Sequence, residues 1–342
     1  MSPNNLFIPL EIPEQHRFNS ETTFSEYATV WLDDNCDMLS VRTIERYNDL
    51  FVRINNGIGH IPVCKLELYH LRQFLKKLSL VGENMRTGKC LSDKTILHHY
   101  RLISVILQQA VRDELITVNP ASKNRMKAPK VVKHEVSVLQ AEDFRQLFCF
   151  LSSDTETNYR AKVAISIMAL TGLRRGEVAG LQFGDFEGDF LTVRRAVLYT
   201  AKRGIYEKTP KTETSYRRLL ISPWVQNIIC EYQNWYMRTY RVSHERVASR
   251  KLFCQDDGKP IHPDTLTIWC RRFSEKHPSL KRFSPHMLRH TYASMLVGLG
   301  VSIKEVSVRL GHSKLTTTCN TYTHSMQGAD KKAADILDQF RF

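Results

Sequence analysis

At 342 residues and roughly 150 residues per domain, the chain has length for about two domains. It can bury apolar cores without disulfides or metals, which excludes a peptide hormone or a knottin. Its hydrophobic fraction of 42% and charged fraction of 25% are those of a globular protein, and no run approaches ~20 apolar residues, which argues against a membrane protein. The formal net charge of +14 favours a polyanionic partner.

In chain order, residues 1–20 read as a polar tail broken by Pro3, Pro9 and Pro13, with no Lys or Arg ahead of an apolar core. No secretory signal is expected, and the chain is placed in the cytoplasm. Charge is uneven: net −5 over residues 1–58, +8 over 59–130 and +11 over 131–342. The cysteines are scattered singly, with no C-x-x-C and no Cys/His cluster at zinc spacing. They read as reduced structural thiols.

Residues 21–120 are expected to form a helical bundle. Phe24, Tyr27, Ala28 and Trp31 recur at helical spacing, Ser40 caps VRTIERYNDLFVRI, and Ser92 caps DKTILHHYRLISVILQQAVRDEL. In the last of these, Ile96, Leu97, Ile103, Ile106, Leu107 and Ala110 define a buried stripe. A weaker helix, LYHLRQFLKKL, precedes the turn VGENMRTGKCLS, which fails as a P-loop because Cys90 stands where the hydroxyl residue is required. Residues 121–138 read as a basic linker, either laid along a phosphate backbone or simply a solvated tether.

A second domain over 139–324 opens on the helix AEDFRQLFCFL, with acids in its first turn. AKVAISIMAL follows and stops at Gly172. FLTVRRAVLY, GIYEKT and YRRLLISP read as a small three-stranded antiparallel meander, and helices return from Trp224. The fold class is mainly α: an N-terminal helical bundle followed by a mixed α+β domain.

Three stretches carry chemistry. In ALTGLRRGEVAGL, Arg174 and Arg175 open a helix, where a guanidinium fork and the helix N-terminus together suit a phosphate, and Glu177 either pairs with Arg174 or faces water. In FSPHMLRHTYASMLVGLG, Ser284 caps a helix with Pro285 at its first position. His286 and Arg289 share one face there, and His290 is assigned to another face as a packing histidine. In VSIKEVSVRLGHSKLTTTCNTYTH, Ser302 and Glu305 form a capping box, Gly311 ends the helix, and His312 stands on the turn after it, ten residues before Tyr322. A phenol with a pKa of about 10 is a poor nucleophile near neutral pH unless cations stabilise its anion. Asp185, Glu187 and Asp189 read as a solvated loop rather than a two-metal nuclease site.

The ordered set R…K…H-x-x-R…H…Y resembles the tyrosine recombinase (phage integrase) family, of mobile-element integrase type. Through the motifs it covers residues 139–322, and more loosely 23–120. The resemblance implies a SAM-like core-binding bundle and a catalytic domain that close on duplex DNA as a clamp. It implies Arg174, Lys211, His286, Arg289, His312 and Tyr322 as catalytic residues and Glu177 as a supporting acid. Tyr322 would then form a 3′-phosphotyrosyl link while Lys211 protonates the leaving 5′ hydroxyl. The roles of His286 and His312 stay undivided.

No cofactor and no metal are implied. The expected partners are double-stranded DNA at specific recombination sites, a homo-tetramer on paired sites that passes through a Holliday junction, and an accessory excision factor. The cell address would be the nucleoid. Lys94, Arg101, Lys123, Arg125 and Lys127 are candidate phosphate contacts or solvated surface, and residues 325–342 a final helix that docks on a neighbouring protomer or caps its own core. A Xer-like chromosome-dimer resolvase, a type IB topoisomerase and a non-catalytic DNA-binding protein are the alternatives.

Overall fold

The computed structural model describes residues 18–84, 87–132, 137–209, 216–255 and 258–312. The chain divides into two compact units, Met1–His134 and Glu135–Phe342.

The first unit is a helical bundle. Helix α1 (Phe24–Asp34) starts at a capping box, in which Thr23 Oγ1 accepts from Glu26 N–H and the Glu26 carboxylate takes Thr23 N–H at 2.8 Å. Helices α2 (Val41–Ile54), α3 (Leu68–Leu78) and α4 (Asp93–Arg112) follow. Ser40 and Ser92 cap α2 and α4 as the sequence predicts. The bundle core gathers Phe24, Tyr27, Trp31, Ile54, Phe74, Ile103 and Ile106.

The start of the basic stretch belongs to this core. Residues 121–126, assigned by composition to the linker, pack on α4: Ala121 and Met126 are buried, and Tyr100 Oη donates to their carbonyls at 2.9 and 3.3 Å. Asn119 Nδ2 donates to the Ser104 carbonyl at 3.0 Å. Buried Ala121 and Met126, not the charges beside them, hold this stretch on the bundle.

The second unit is built around α6 (Tyr159–Thr171), which is buried on nearly every face from Ala161 to Ala169. A helix apolar all round has no surface side and so becomes a core element. Around it stand α5 (Ala141–Ser153), α7 (Arg175–Gly180), α8 (Pro223–Tyr240), α9 (His244–Val247), α10 (Asp264–Lys276), α11 (Pro285–Gly298) and α12 (Ile303–Leu310).

The strands are β1 (Phe186–Glu187), β2 (Phe190–Val193), β3 (Ala196–Thr200), β4 (Gly204–Lys208) and β5 (Arg217–Leu220). They are antiparallel, as expected, but form two sheets rather than one meander: β1-β2-β5 and the hairpin β3-β4. The run FLTVRRAVLY is broken at Arg194-Arg195, both of which turn to Asp185. β5 therefore pairs with β2, with Leu191 opposite Leu219 and Val193 opposite Arg217. Asp185 itself, expected in solvent, is buried, with one oxygen 2.6 Å from Arg195 Nη1 and its charge thereby compensated. Glu187 is exposed and pairs with Arg194 at 3.0 Å.

Candidate active site

The first informative motif folds as a sharp corner. Helix α6 ends at Gly172, whose φ of +64° is left-handed. A Cβ there would lie 2.4 Å from Tyr292 Cδ1 and 3.0 Å from Leu310 Cδ2, so the position requires glycine for both conformation and space. Gly172→Ala should lower the stability of this unit by about 2–4 kcal/mol, from left-handed strain plus overpacking. An unchanged melting temperature would contradict that account.

Two residues beyond this corner, Arg174 sits at the N-cap of α7 in extended conformation. Its backbone N–H donates to Glu177 Oε2 at 2.8 Å, its Nη1 to Glu177 Oε1 at 2.9 Å, and its Nη2 to the Gly311 carbonyl at 2.7 Å. The Arg174 side chain keeps 42% of its exposure, so the guanidinium is braced from behind and open in front. Arg175 points elsewhere, pairing with Asp264 and with Thr267 Oγ1 at 3.2 Å, and ties α7 to α10.

Glu177 is 5% exposed and pairs with Arg174 rather than facing water. It also holds a second arginine that sequence reasoning missed. Arg217 on β5 donates Nη1 and Nη2 to the two Glu177 oxygens at 3.0 and 2.9 Å, the two-pronged geometry of a strong charge-assisted pair. Its Nε donates to the Arg309 carbonyl at 2.9 Å. Burial pushes the Glu177 carboxyl up, but the hydrogen bonds and charge of Arg217, then Arg174, outweigh it and bring the group to about 2. A faint signal was available: in YRRLL the residues alternate inward and outward, and Arg217 occupies an inward position with Leu219.

Arg289 on α11 is 4% exposed. Its Nη1 donates to the Gly172 carbonyl and its Nη2 to the Leu310 carbonyl, each at 2.8 Å. Arg174 and Arg289 are thus fastened to the same place, the end of α12, where the last carbonyls of a helix carry partial negative charge. Gly311 closes that helix at φ +68°. Arg309 donates to Tyr292 Oη and, at 2.6 Å, to the Leu220 carbonyl, so α11, α12 and β5 are locked together.

His312 follows directly and is half-buried. Burial, then the charges of Arg289, Arg174 and Arg217, hold its imidazole at about 4, against a weaker upward pull from Glu177. Near neutral pH it is uncharged, with one ring nitrogen to donate and one to accept. His286 is exposed on the first turn of α11.

His290, assigned above to a different face, meets His286 with Nε2 to Nε2 at 2.8 Å and ring centroids 4.2 Å apart. Four residues advance a helix by about 400°, only about 40° from the starting azimuth, whereas three fall about 60° short. Lys211, Tyr322 and residues 325–342 lie outside the described residues. The structure therefore gathers Arg174, Glu177, Arg289 and His312 in one bonded cluster and adds Arg217 to it. Two guanidinium groups on Glu177 and a third, Arg289, held at the end of α12 make that cluster net positive, fit for an anionic phosphate.

Known proteins resemble this chain over most of its length. The model of the phage integrase family matches residues 137–328. A tyrosine recombinase of Agathobacter rectalis is 26% identical over 332 residues, spanning 93% of this chain and 96% of its own. The integrase of a Staphylococcus phage is 27% identical over 336 residues, 93% of each chain. Among solved structures, the Tn1549 transposon integrase in complex with a circular intermediate DNA has the same fold, with a TM-score of 0.74 at 19% identity over 91% of this chain and 99% of that one.

The chain belongs to the phage integrase family: it is a tyrosine site-specific recombinase, a DNA strand transferase. The relatives it matches include integrases, among them that of the Staphylococcus phage, and XerC-type tyrosine recombinases. No helix among the described residues is long and apolar enough to cross a membrane.

Proposed function

We propose that this recombinase integrates or excises a mobile element by cutting and rejoining DNA through a 3′-phosphotyrosyl intermediate, with Tyr322 as nucleophile. The observation that carries this reading is the attachment of Arg174 and Arg289 to the Gly311 and Leu310 carbonyls, with His312 as the next residue. A phosphodiester repels an attacking oxyanion unless its nonbridging oxygens are held by fixed cations, and preorganised arginines provide that at no reorganisation cost. Lys211 then protonates the departing 5′ hydroxyl, and His286 and His312 assist at the phenol or the phosphate. Because the ester retains the energy of the broken bond, rejoining is the reverse of cleavage and calls for no nucleotide cofactor.

The partner is double-stranded DNA at specific sites. Lys94, Arg101, Lys123, Arg125 and Lys127 are all exposed on the first unit and are assigned to phosphates, so binding weakens steeply with salt. Four protomers on two duplexes pass through a Holliday junction. Residues 325–342 dock on the neighbouring protomer, and an accessory factor sets the direction.

The test is a duplex of the element end nicked beside the cleavage point, which traps the covalent complex. A protein–DNA adduct should form with the wild type and vanish in Tyr322→Phe while duplex binding persists. An adduct that survives the substitution refutes the nucleophile assignment.

A further inference from the structure

His290 has no part in the chemistry above, yet its imidazole is joined to that of His286 at 2.8 Å, with ring planes at 83°. The two are unequal partners. His286 is exposed and His290 half-buried on the same helix. Among the described residues, the charges that act on His290 come from His286 and Arg289 of α11 and from His312 beyond α12. Burial, then these three in that order, holds His290 at about 4. Near neutral pH His290 is therefore uncharged, and a neutral imidazole has one nitrogen free of hydrogen to accept. Its Nε2, at 2.8 Å, can take the Nε2–H of His286, with the proton of His290 on Nδ1.

We propose that His290 is a positioning residue: it accepts the Nε2–H of His286, fixing the ring and tautomer of that histidine and directing its proton exchange with substrate through Nδ1. This rests on the assignment of His286 to the reaction, and the test keeps the two apart. An imidazole whose tautomer is set by a neighbour is ready to act without first reorienting.

The experiment pairs ring ¹⁵N NMR of the full-length protein with single-turnover cleavage of the nicked duplex across pH, for wild type, His290→Ala and His290→Gln. In the wild type, the His286 ring nitrogens should report one dominant Nε2–H tautomer. In His290→Ala they should report a mixture. The pH–rate limb set by His286 should shift, and cleavage near pH 7 should fall about 10-fold, a part of the ~10²–10⁴-fold a positioned acid or base supplies. Duplex affinity should be unchanged. His290→Gln, whose amide oxygen can accept in the same place, should restore tautomer and rate.

An unaltered His286 tautomer in His290→Ala overturns the proposal. So does slower cleavage with an unmoved pH profile and no rescue by Gln, the mark of a packing role only. A changed tautomer with cleavage unaffected overturns the catalytic role by removing His286 from the reaction, while adduct formation through Tyr322 stands or falls separately.

Discussion

Arg217→Ala should destabilise the second unit by about 3–5 kcal/mol, the usual cost of stranding one partner of a buried ion pair. The arginine is 7% exposed, and its loss removes two of the four hydrogen bonds that offset the burial of Glu177. The effect depends on pH in a defined sense. The Glu177 carboxyl lies at about 2 in the folded protein against an ordinary 4.5. A depressed pKa contributes stability that is fully present above the unfolded value and is lost as pH falls through the folded one. Wild-type stability should therefore decline from pH 4.5 towards 2. In the variant burial is less opposed and the carboxyl moves up, so acidification costs it less. Urea titrations at pH 7 and pH 3 test this: the gap between the two proteins should be widest at pH 7, and a constant gap would show that Glu177 is not the group involved. Glu177, which braces Arg174, is itself held less firmly without Arg217, and adduct formation should drop even where the variant is folded.

The second large effect belongs to Arg289. Arg289→Lys retains a positive charge but replaces a planar fork, which spans the Gly172 and Leu310 carbonyls at 2.8 Å each, with a point charge that cannot hold both in the same geometry. Covalent adduct should form about 10²–10³-fold more slowly, the range for loss of one preorganised charge-stabilising donor. Duplex affinity, spread over many phosphate contacts, should change little. Single-turnover rates beside an equilibrium binding titration separate the two. A loss in binding as large as the loss in rate would mean that Arg289 holds the ground state and not the transition state.

Local signals were the easily read part of this molecule. Ser40, Ser92, Ser284 and Ser302 cap their helices, because a capping hydroxyl acts within three residues of itself. The helix AKVAISIMAL and its stop at Gly172 were equally visible. What depended on distant pairing was not. The strand order turned on which partner Arg194 and Arg195 would find, and a solvated Asp185 became a buried anchor once two arginines reached it. Arg217 was missed for the same reason: nothing within YRRLL reveals a carboxylate 40 residues earlier. His290 was misplaced by a different error, that of taking the i+3 neighbour of His286 and overlooking the i+4 neighbour.

The grip of Arg174 and Arg289 on the carbonyls of Gly311 and Leu310 joins segments 137 and 21 positions apart in the chain. Both guanidinium groups thus depend on the seating of one short helix, α12, and any loosening of that helix would slacken the two cations together.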